Sequence, residues 1–297
     1  MSVISCSNLE KRYKTKLAIN NLSVSIDENK IVGLIGRNGA GKTTFLKMCA
    51  GYLRPTGGQL KILNEEVFDN IDVLSELIFV DEEIKYHRSY RIKDICELAA
   101  IYYKNWDAKF ATRLLKYFNL DENQRYKRLS RGMKTQLNMI VGLSSRAPVT
   151  ILDEPTLGMD AAVRKDFYNI LLKDYMDNPR TILISSHLLN EIETLLEEII
   201  LIDNGELVLQ KPIDEMQEFG IYLSGKRDVV EPYIKNKQVL NTEYMGNSLI
   251  AAIKNDLTDG EKEELMNKNI DISKVKVEDV CIYLTRKQRG GAFDDVE

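Results

Sequence analysis

The sequence predicts an α/β protein built on a largely parallel sheet, followed by a smaller α+β domain. Three observations carry this expectation. Nearly unbroken apolar runs stand at residues 30–35, 149–153 and 181–186, the pattern of strands buried on both faces. Stretches of helical period separate these runs, and strands separated by helices build mainly parallel sheets. The chain has 297 residues, 44% of them apolar and 29% charged, an ordinary globular mix long enough for one or two domains.

The elements follow in order. Residues 3–29 alternate, with Leu22, Val24 and Ile26 set against Ser23 and Ser25, which predicts antiparallel strands. The run 30–35 ends in a glycine-rich turn, and 42–51 then takes a helical period. Residues 85–147 read as a helical region, with Ile92, Ile95, Cys96, Leu98 and Ala99 on one face and Phe110, Leu114, Leu115 and Phe118 on another. Buried strands return at 149–153 and 181–186. Ile199–Ile202 and Glu206–Leu209 flank Asp203-Asn204-Gly205, a hairpin with an Asn-Gly turn. Pro212 and Gly220 mark a domain boundary, placed after residue 215. Residues 216–285 carry shorter elements, including an acidic helix at 258–267, and form the α+β domain. The polar tail 286–297 reads as disordered. No internal repeat is visible.

Composition excludes several classes. Lys+Arg number 41 and Asp+Glu 45, a formal charge of −4. A general nucleic-acid binder draws its affinity from excess Lys and Arg against phosphate, so no nucleic-acid partner is expected. No stretch reaches the ~20 apolar residues of a membrane span. The N-terminal residues lack the basic and apolar regions of a signal peptide. Cys6, Cys49, Cys96 and Cys281 are scattered, which fits reduced cytosolic thiols.

Gly36-Arg37-Asn38-Gly39-Ala40-Gly41-Lys42-Thr43 matches GxxxxGK[ST]. It follows a buried strand and opens a helix, the context in which backbone N–H groups curl around phosphate oxygens. Lys42 is placed to reach the β- and γ-phosphates, and Thr43 offers a hydroxyl to Mg²⁺. Asp153-Glu154 ends the apolar run 149–152. Alone, such a pair is a strand end meeting solvent. At the carboxyl end of a parallel strand it stands where ligands bind. Asp153 then suits Mg²⁺, and Glu154 suits the polarisation of an attacking water.

Between these motifs stands Leu129-Ser130-Arg131-Gly132-Met133, and Pro155-Thr156 follows the carboxylates. The ordered set resembles an ABC-family ATPase domain over about residues 1–215. The family signature LSGGQ appears here with Arg131 and Met133 in place of a small residue and an amide. Leu157-Gly158-Met159-Asp160 resembles the family's D-loop, with Met159 where Leu is usual. Ser186-His187 resembles the end of its switch strand.

The resemblance implies a P-loop NTPase fold with an antiparallel lobe and a helical lobe at about 85–147. It implies ATP on Gly36–Thr44, with Thr44 in the cradle, adenine against Tyr13, and Mg²⁺ as cofactor. It further implies two subunits sandwiching two ATP molecules. Each site joins Lys42, Thr43, Asp153, Glu154 and His187 of one chain with Ser130 and Gly132 of the other, and Asp160 serves communication between them. The family's Q-loop glutamine has Glu82 as its best-aligned counterpart, a carboxylate able to ligate Mg²⁺. His87 has no such context. The membrane partner, a separate permease, is expected to dock near residues 82–91, with Tyr86, Arg88 and Tyr90 as contacts. The segment Tyr102–Asp107, the Ser-Arg-Gly-Met form of the signature and the segment Val277–Thr285 resemble bacterial exporters of peptides, antibiotics or lipids. The expected protein is therefore an ATPase subunit at the cytoplasmic face of the membrane, paired with a second ATPase subunit of the same or another kind. A soluble ABC ATPase with a non-transport target, a non-catalytic nucleotide-binding regulator and an importer ATPase are the competing readings.

Overall fold

The computed structural model describes residues 2–286, so the expected tail, apart from Arg286, lies outside the described residues. The chain divides into two compact units between Gln210 and Lys211, a little before the expected boundary after 215. Gln210 is tied to the first unit, its amide donating to the Ser25 carbonyl (2.6 Å) and the Glu198 carboxylate (2.5 Å).

In the first unit, β1 (Ser2–Tyr13) and β2 (Lys16–Asp27) pair antiparallel. Next, β3 (Ile31–Ile35) is buried at every position and feeds α1 (Lys42–Cys49). β4 (Gly57–Ile62) pairs with β1, and β5 (Glu65–Glu66) completes an antiparallel sheet of order β2-β1-β4-β5. α2 (Ile71–Ser75) leads into β6 (Leu77–Val80).

The helical lobe comprises α3 (Ile92–Tyr102), α4 (Ala108–Tyr117) and α5 (Arg131–Ser144). It begins at residue 92, later than the sequence pattern suggests. Asp81 accepts from the Glu83 and Ile84 N–H groups (2.9 and 3.0 Å), an Asx-type turn that sends 81–91 out as a loop. On α3, Ile92, Ile95 and Ala99 are buried, while Cys96 and Leu98 are half-buried.

Next come β7 (Val149–Asp153), α6 (Ala161–Asp177), β8 (Thr181–Ser185), α7 (Leu189–Ile192), β9 (Glu198–Asp203) and β10 (Glu206–Pro212). Asn204 and Gly205 take φ of 50° and 82°, the two positive values that an Asn-Gly hairpin turn requires. The second sheet has order β10-β9-β3-β8-β7-β6. Its β9-β3-β8-β7-β6 neighbours all pair in parallel. One apolar core joins both sheets through α1, with Phe45, Leu46, Ile4, Leu22 and Ile151 among its members. Each such buried side chain stabilises the fold by about 1.5–3 kcal/mol. The parallel arrangement brings the carboxyl ends of β3, β6, β7 and β8 to one edge, where β3 meets the N-terminus of α1.

The second unit holds α8 (Ile213–Gln217), β11 (Gly220–Lys226), α9 (Arg227–Ile234), β12 (Val239–Met245), β13 (Ser248–Lys254), α10 (Asp259–Asn267), β14 (Asp271–Lys274) and α11 (Val277–Thr285). The sheet order β12-β13-β11-β14 is antiparallel throughout. From β11 to β14 the chain therefore runs βαββαβ, the split-βαβ arrangement. Leu223, Leu249, Ala251, Ile253, Val230 and Leu265 form its core.

Candidate functional site

The cleft at the carboxyl edge of the parallel sheet has a volume of about 330 Å³. It is lined by Tyr13, Lys16, Ala18, Arg37, Asn38, Gly39, Gly41, Lys42, Thr43, Thr44 and Glu154. Its floor is the glycine loop between β3 and α1. Gly39 and Gly41 take φ of 84° and 109°, values that a side chain resists. A Cβ on Gly41 would also lie 2.6 Å from the Ala18 carbonyl, whereas one on Gly39 would meet nothing within 4 Å. The loop is thus held tightly on one side and open on the other, a cradle that backbone N–H groups and the helix terminus make attractive to anions. Gly36 and Ala40 do not line the cleft. They hold the loop down: a Cβ on Gly36 would lie 2.4 Å from the Ile202 carbonyl, and the Ala40 carbonyl accepts from Gly205 N–H at 2.8 Å.

Lys42 is only 7% exposed. Its ammonium donates to the carbonyls of Gly36 (2.7 Å) and Arg37 (3.4 Å). Burial pulls its pKa down, opposed by the nearby Glu154 and Asp153 carboxylates. The motif lysine and the acidic pair therefore meet in space although the sequence separates them widely. Thr43 is exposed at the start of α1.

Asp153 and Glu154 are set by the β7–β8 register, in which Asp153 lies opposite Ser185. Ser185 Oγ donates to Asp153 Oδ1 (2.5 Å) and accepts from the Glu154 N–H (3.0 Å). Glu154 takes a φ of 48°, a left-handed conformation uncommon for a residue with a long side chain and typical of strained functional positions. Its Oε2 stands 2.6 Å from His187 Nδ1. That contact requires the hydrogen on Nδ1 when Glu154 is ionised, which leaves Nε2 as the outward nitrogen.

One acidic residue after β6 stands apart from the expected place, and its neighbour is buried. Glu82 does not line the cleft; its carboxylate pairs with Arg131 at 2.5 Å. The neighbouring Asp81, not singled out in the sequence, is 8% exposed. It follows Val80 on β6 as Asp153 follows Leu152 on β7, and Val80 and Leu152 are register partners. Burial raises the Asp81 pKa, partly offset by its two backbone hydrogen bonds and by Lys47. No group of three or more His, Cys, Asp or Glu able to hold a metal occurs among the described residues. Thr43 lines the cleft and Asp153 precedes its Glu154, and hydroxyl and carboxylate oxygens are donors of the kind Mg²⁺ takes, one or two from protein and the rest from phosphate and water.

Ser130, Gly132 and Asp160 stand away from the cleft. Ser130 caps α5, accepting from Met133 N–H at 3.2 Å. Asp160 caps α6, accepting from Val163 N–H at 3.0 Å. The two segments touch: Thr135 Oγ1 donates to the Leu157 carbonyl (3.2 Å), and a Cβ on Gly132 would lie 3.3 Å from the Gly158 carbonyl. Tyr13 is 43% exposed at the cleft rim, with the Lys11 ammonium 5.4 Å from its ring centroid.

A second cavity of about 320 Å³ lies between the sheet and the helical lobe, walled by Tyr52, Phe79, Tyr86, Tyr102, Tyr103 and Ile95 among others. Burial raises the phenol pKa of Tyr86 strongly and pushes that of Tyr103 up to about 12. Of the expected docking residues, Tyr86 lines this groove, and Arg88 lines an adjoining cavity of about 350 Å³. Tyr90 lines neither and packs on His87, their ring centroids 5.6 Å apart. A larger cleft of about 820 Å³ opens at the opposite end of the strands, beside Trp106, Arg146 and Arg180. There Arg146 pairs with Asp107 and Asp174, and Arg180 with Asp174. Charges so matched point to a structural network rather than a ligand site.

The model of the family described as ABC transporter matches residues 19–157. A bacitracin transport ATP-binding protein of Enterococcus faecalis is 30% identical over 219 residues, covering 73% of this chain and 71% of the relative. An uncharacterized ABC transporter ATP-binding protein of Bacillus subtilis, YcbN, is 30% identical over 221 residues, covering 72% and 71%. Among solved structures, an ATP-binding subunit of an ABC transporter aligns with a TM-score of 0.66 at 22% identity, over 73% of this chain and 92% of that one. A dimeric ATP-binding cassette in a post-hydrolysis state bound to ADP and Pi aligns with a TM-score of 0.62 at 23% identity, over 71% and 98%.

Proposed function

We propose a function from the premise that the chain belongs to the ABC transporter family of ATP-binding proteins: it hydrolyses ATP to drive export of a peptide or antibiotic through a separate membrane permease. The observation that carries the catalytic part is that Lys42 and Glu154 line one cleft, with His187 hydrogen-bonded to Glu154.

ATP phosphates lie on the glycine loop, where the α1 N-terminus and Lys42 supply positive charge. Adenine rests against Tyr13. Thr43 and Asp153 would hold Mg²⁺, which when bound neutralises phosphate charge. Glu154 takes the proton of the attacking water, and His187 steadies Glu154 through Nδ1 while presenting Nε2 toward the γ-phosphate. Phosphoryl transfer needs mainly such positioning and charge stabilisation. Ser130 and Gly132, away from the cleft of their own chain, complete the site of a second subunit, and Asp160 lies at the same junction.

No helix among the described residues is long and apolar enough to cross a membrane. The aromatic groove beside Tyr86 suits an apolar docking segment of a permease, and on this reading the subunit works at the cytoplasmic membrane face. The bacitracin transport relatives favour export of an amphipathic peptide.

The decisive variant is Glu154→Gln. Turnover is expected to fall about 10²–10⁴-fold, the usual contribution of a general base, while ATP binding persists and an ATP-bound dimer accumulates. Near-parental phosphate release would reject Glu154 as the base.

A further inference from the structure

We infer that Glu82 acts as a positioning residue through Arg131, forming an ion-pair strut that ties the loop after β6 to the start of α5, and does not serve as a metal ligand. The inference rests on the reading above that α5 presents its N-terminus to the nucleotide of a second subunit.

Glu82 and Arg131 are two places where this chain departs from the family pattern, and the structure makes them partners at 2.5 Å. A cation is unfavourable in the first turn of a helix, where the dipole is positive. Arg131 is the first residue of α5, and that turn contains no acidic residue. Glu82 brings the missing carboxylate from another segment. Its surroundings also argue against a divalent ion. Among the described residues Glu82 is the one carboxylate lining the cavity of about 350 Å³, which Lys85, Arg88, Lys127, Arg131 and Lys134 also line. A metal cation entering there would meet five positive charges.

The strut reaches a third segment. The Arg131 side chain lies over the loop before α6, where a Cβ on Gly158 would stand 3.5 Å from Arg131 Nε. In the same turn Thr135 Oγ1 bonds to the Arg131 and Leu157 carbonyls (both 3.2 Å). The loop after β6, the signature helix and the loop before α6 are therefore joined through one arginine. Moving any one of them loads the others.

Both side chains are substantially exposed, 68% for Arg131 and 47% for Glu82, so the pair is a weak one. Hydrogen exchange on the single chain tests it first. Glu82→Gln and Arg131→Gln are each expected to speed amide exchange at residues 133–135 about two- to fivefold, the range of an exposed ion pair. Combining them should add little, and the reversed pair Glu82→Arg with Arg131→Glu should restore slow exchange. Exchange unchanged by either single variant, or losses that add in the double variant, would overturn the strut.

Mg²⁺ titration of ATP binding supplies a second readout. An unchanged Mg²⁺ requirement in Glu82→Ala, which leaves no oxygen ligand, is expected, and a raised one would mark Glu82 as a metal ligand and overturn the inference. ATP-driven dimerisation in the Glu154→Gln background separates the two levels. If that parent fails to dimerise, the sandwich reading falls, while hydrogen exchange still judges the strut. If the parent dimerises, Arg131→Gln should weaken the dimer about two- to fivefold, and no change would overturn the strut's role in assembly.

Discussion

The two units of this chain use sheets in opposite ways. In the first, parallel strands β3, β6, β7 and β8 deliver their carboxyl ends to a single edge. The glycine loop, Asp81, Asp153, Glu154 and His187 all follow from those ends. In the second, every neighbouring pair of strands is antiparallel, so successive ends point in alternate directions and no such edge gathers side chains. Its charged residues form scattered pairs instead, some within a helix, as Lys268 with Glu264, and some between segments, as Lys237 with Glu261. Parallel topology concentrates chemistry where helix N-termini converge, whereas the split-βαβ unit offers surfaces.

This contrast predicts that the two units can be damaged separately. The largest effect is expected from Leu249→Ala, which empties a fully buried position in the second core. It should destabilise that unit by about 2–5 kcal/mol and leave Mg-ATP affinity nearly unchanged. A large affinity loss, measured by nucleotide titration, would show that the units are energetically coupled.

Lys42→Ala makes the converse test. Losing a charge-assisted hydrogen bond of about 1.5–3 kcal/mol should weaken ATP binding about 10- to 100-fold, with the thermal transition of the second unit unmoved. Unaltered affinity would remove the phosphate-loop reading itself.

A smaller effect is expected from Thr258→Ala. Thr258 and Glu261 form a reciprocal capping box at the start of α10, and loss of such a cap costs about 1 kcal/mol. Calorimetry should register this in the second unit alone.

The mildest perturbation is acid. Hydrogen bonds from the Thr258 backbone, from Lys237 and from the Thr258 hydroxyl hold the Glu261 carboxyl down at about 2, against an ordinary 4.5. Its stabilising contribution is therefore complete above pH 4.5 and lost as pH falls toward 2. Protection of α10 amides should decline over that window in the parent and less so in Glu261→Gln.

The phosphate loop was legible in the sequence because its meaning is local: strand, glycines, lysine and helix are contiguous, and all but Gly36 and Ala40 of the motif line the cleft. The Asn204-Gly205 turn was legible for the same reason. Glu82 was not. A one-residue step at a strand end decides whether a carboxylate is buried against the loop backbone or turns to the helical lobe. The buried Asp81 takes the position beside Asp153, and Glu82 turns to Arg131. The contribution of Ser185 was equally hidden, since its hydroxyl matters only through the register that sets it against Asp153.

What the sequence determined by itself were the elements and motifs whose signals lie within a turn or a strand: the buried runs 30–35, 149–153 and 181–186, the glycine cradle, and the acidic pair that closes β7. Tertiary structure alone decided which of these meet. Strand order and register are set by long-range burial, and a one-residue slip redirects every side chain along a strand. Lys42 therefore faces Glu154, Ser185 holds Asp153, and Glu82 belongs to Arg131, through contacts between residues far apart in the chain that no local pattern encodes.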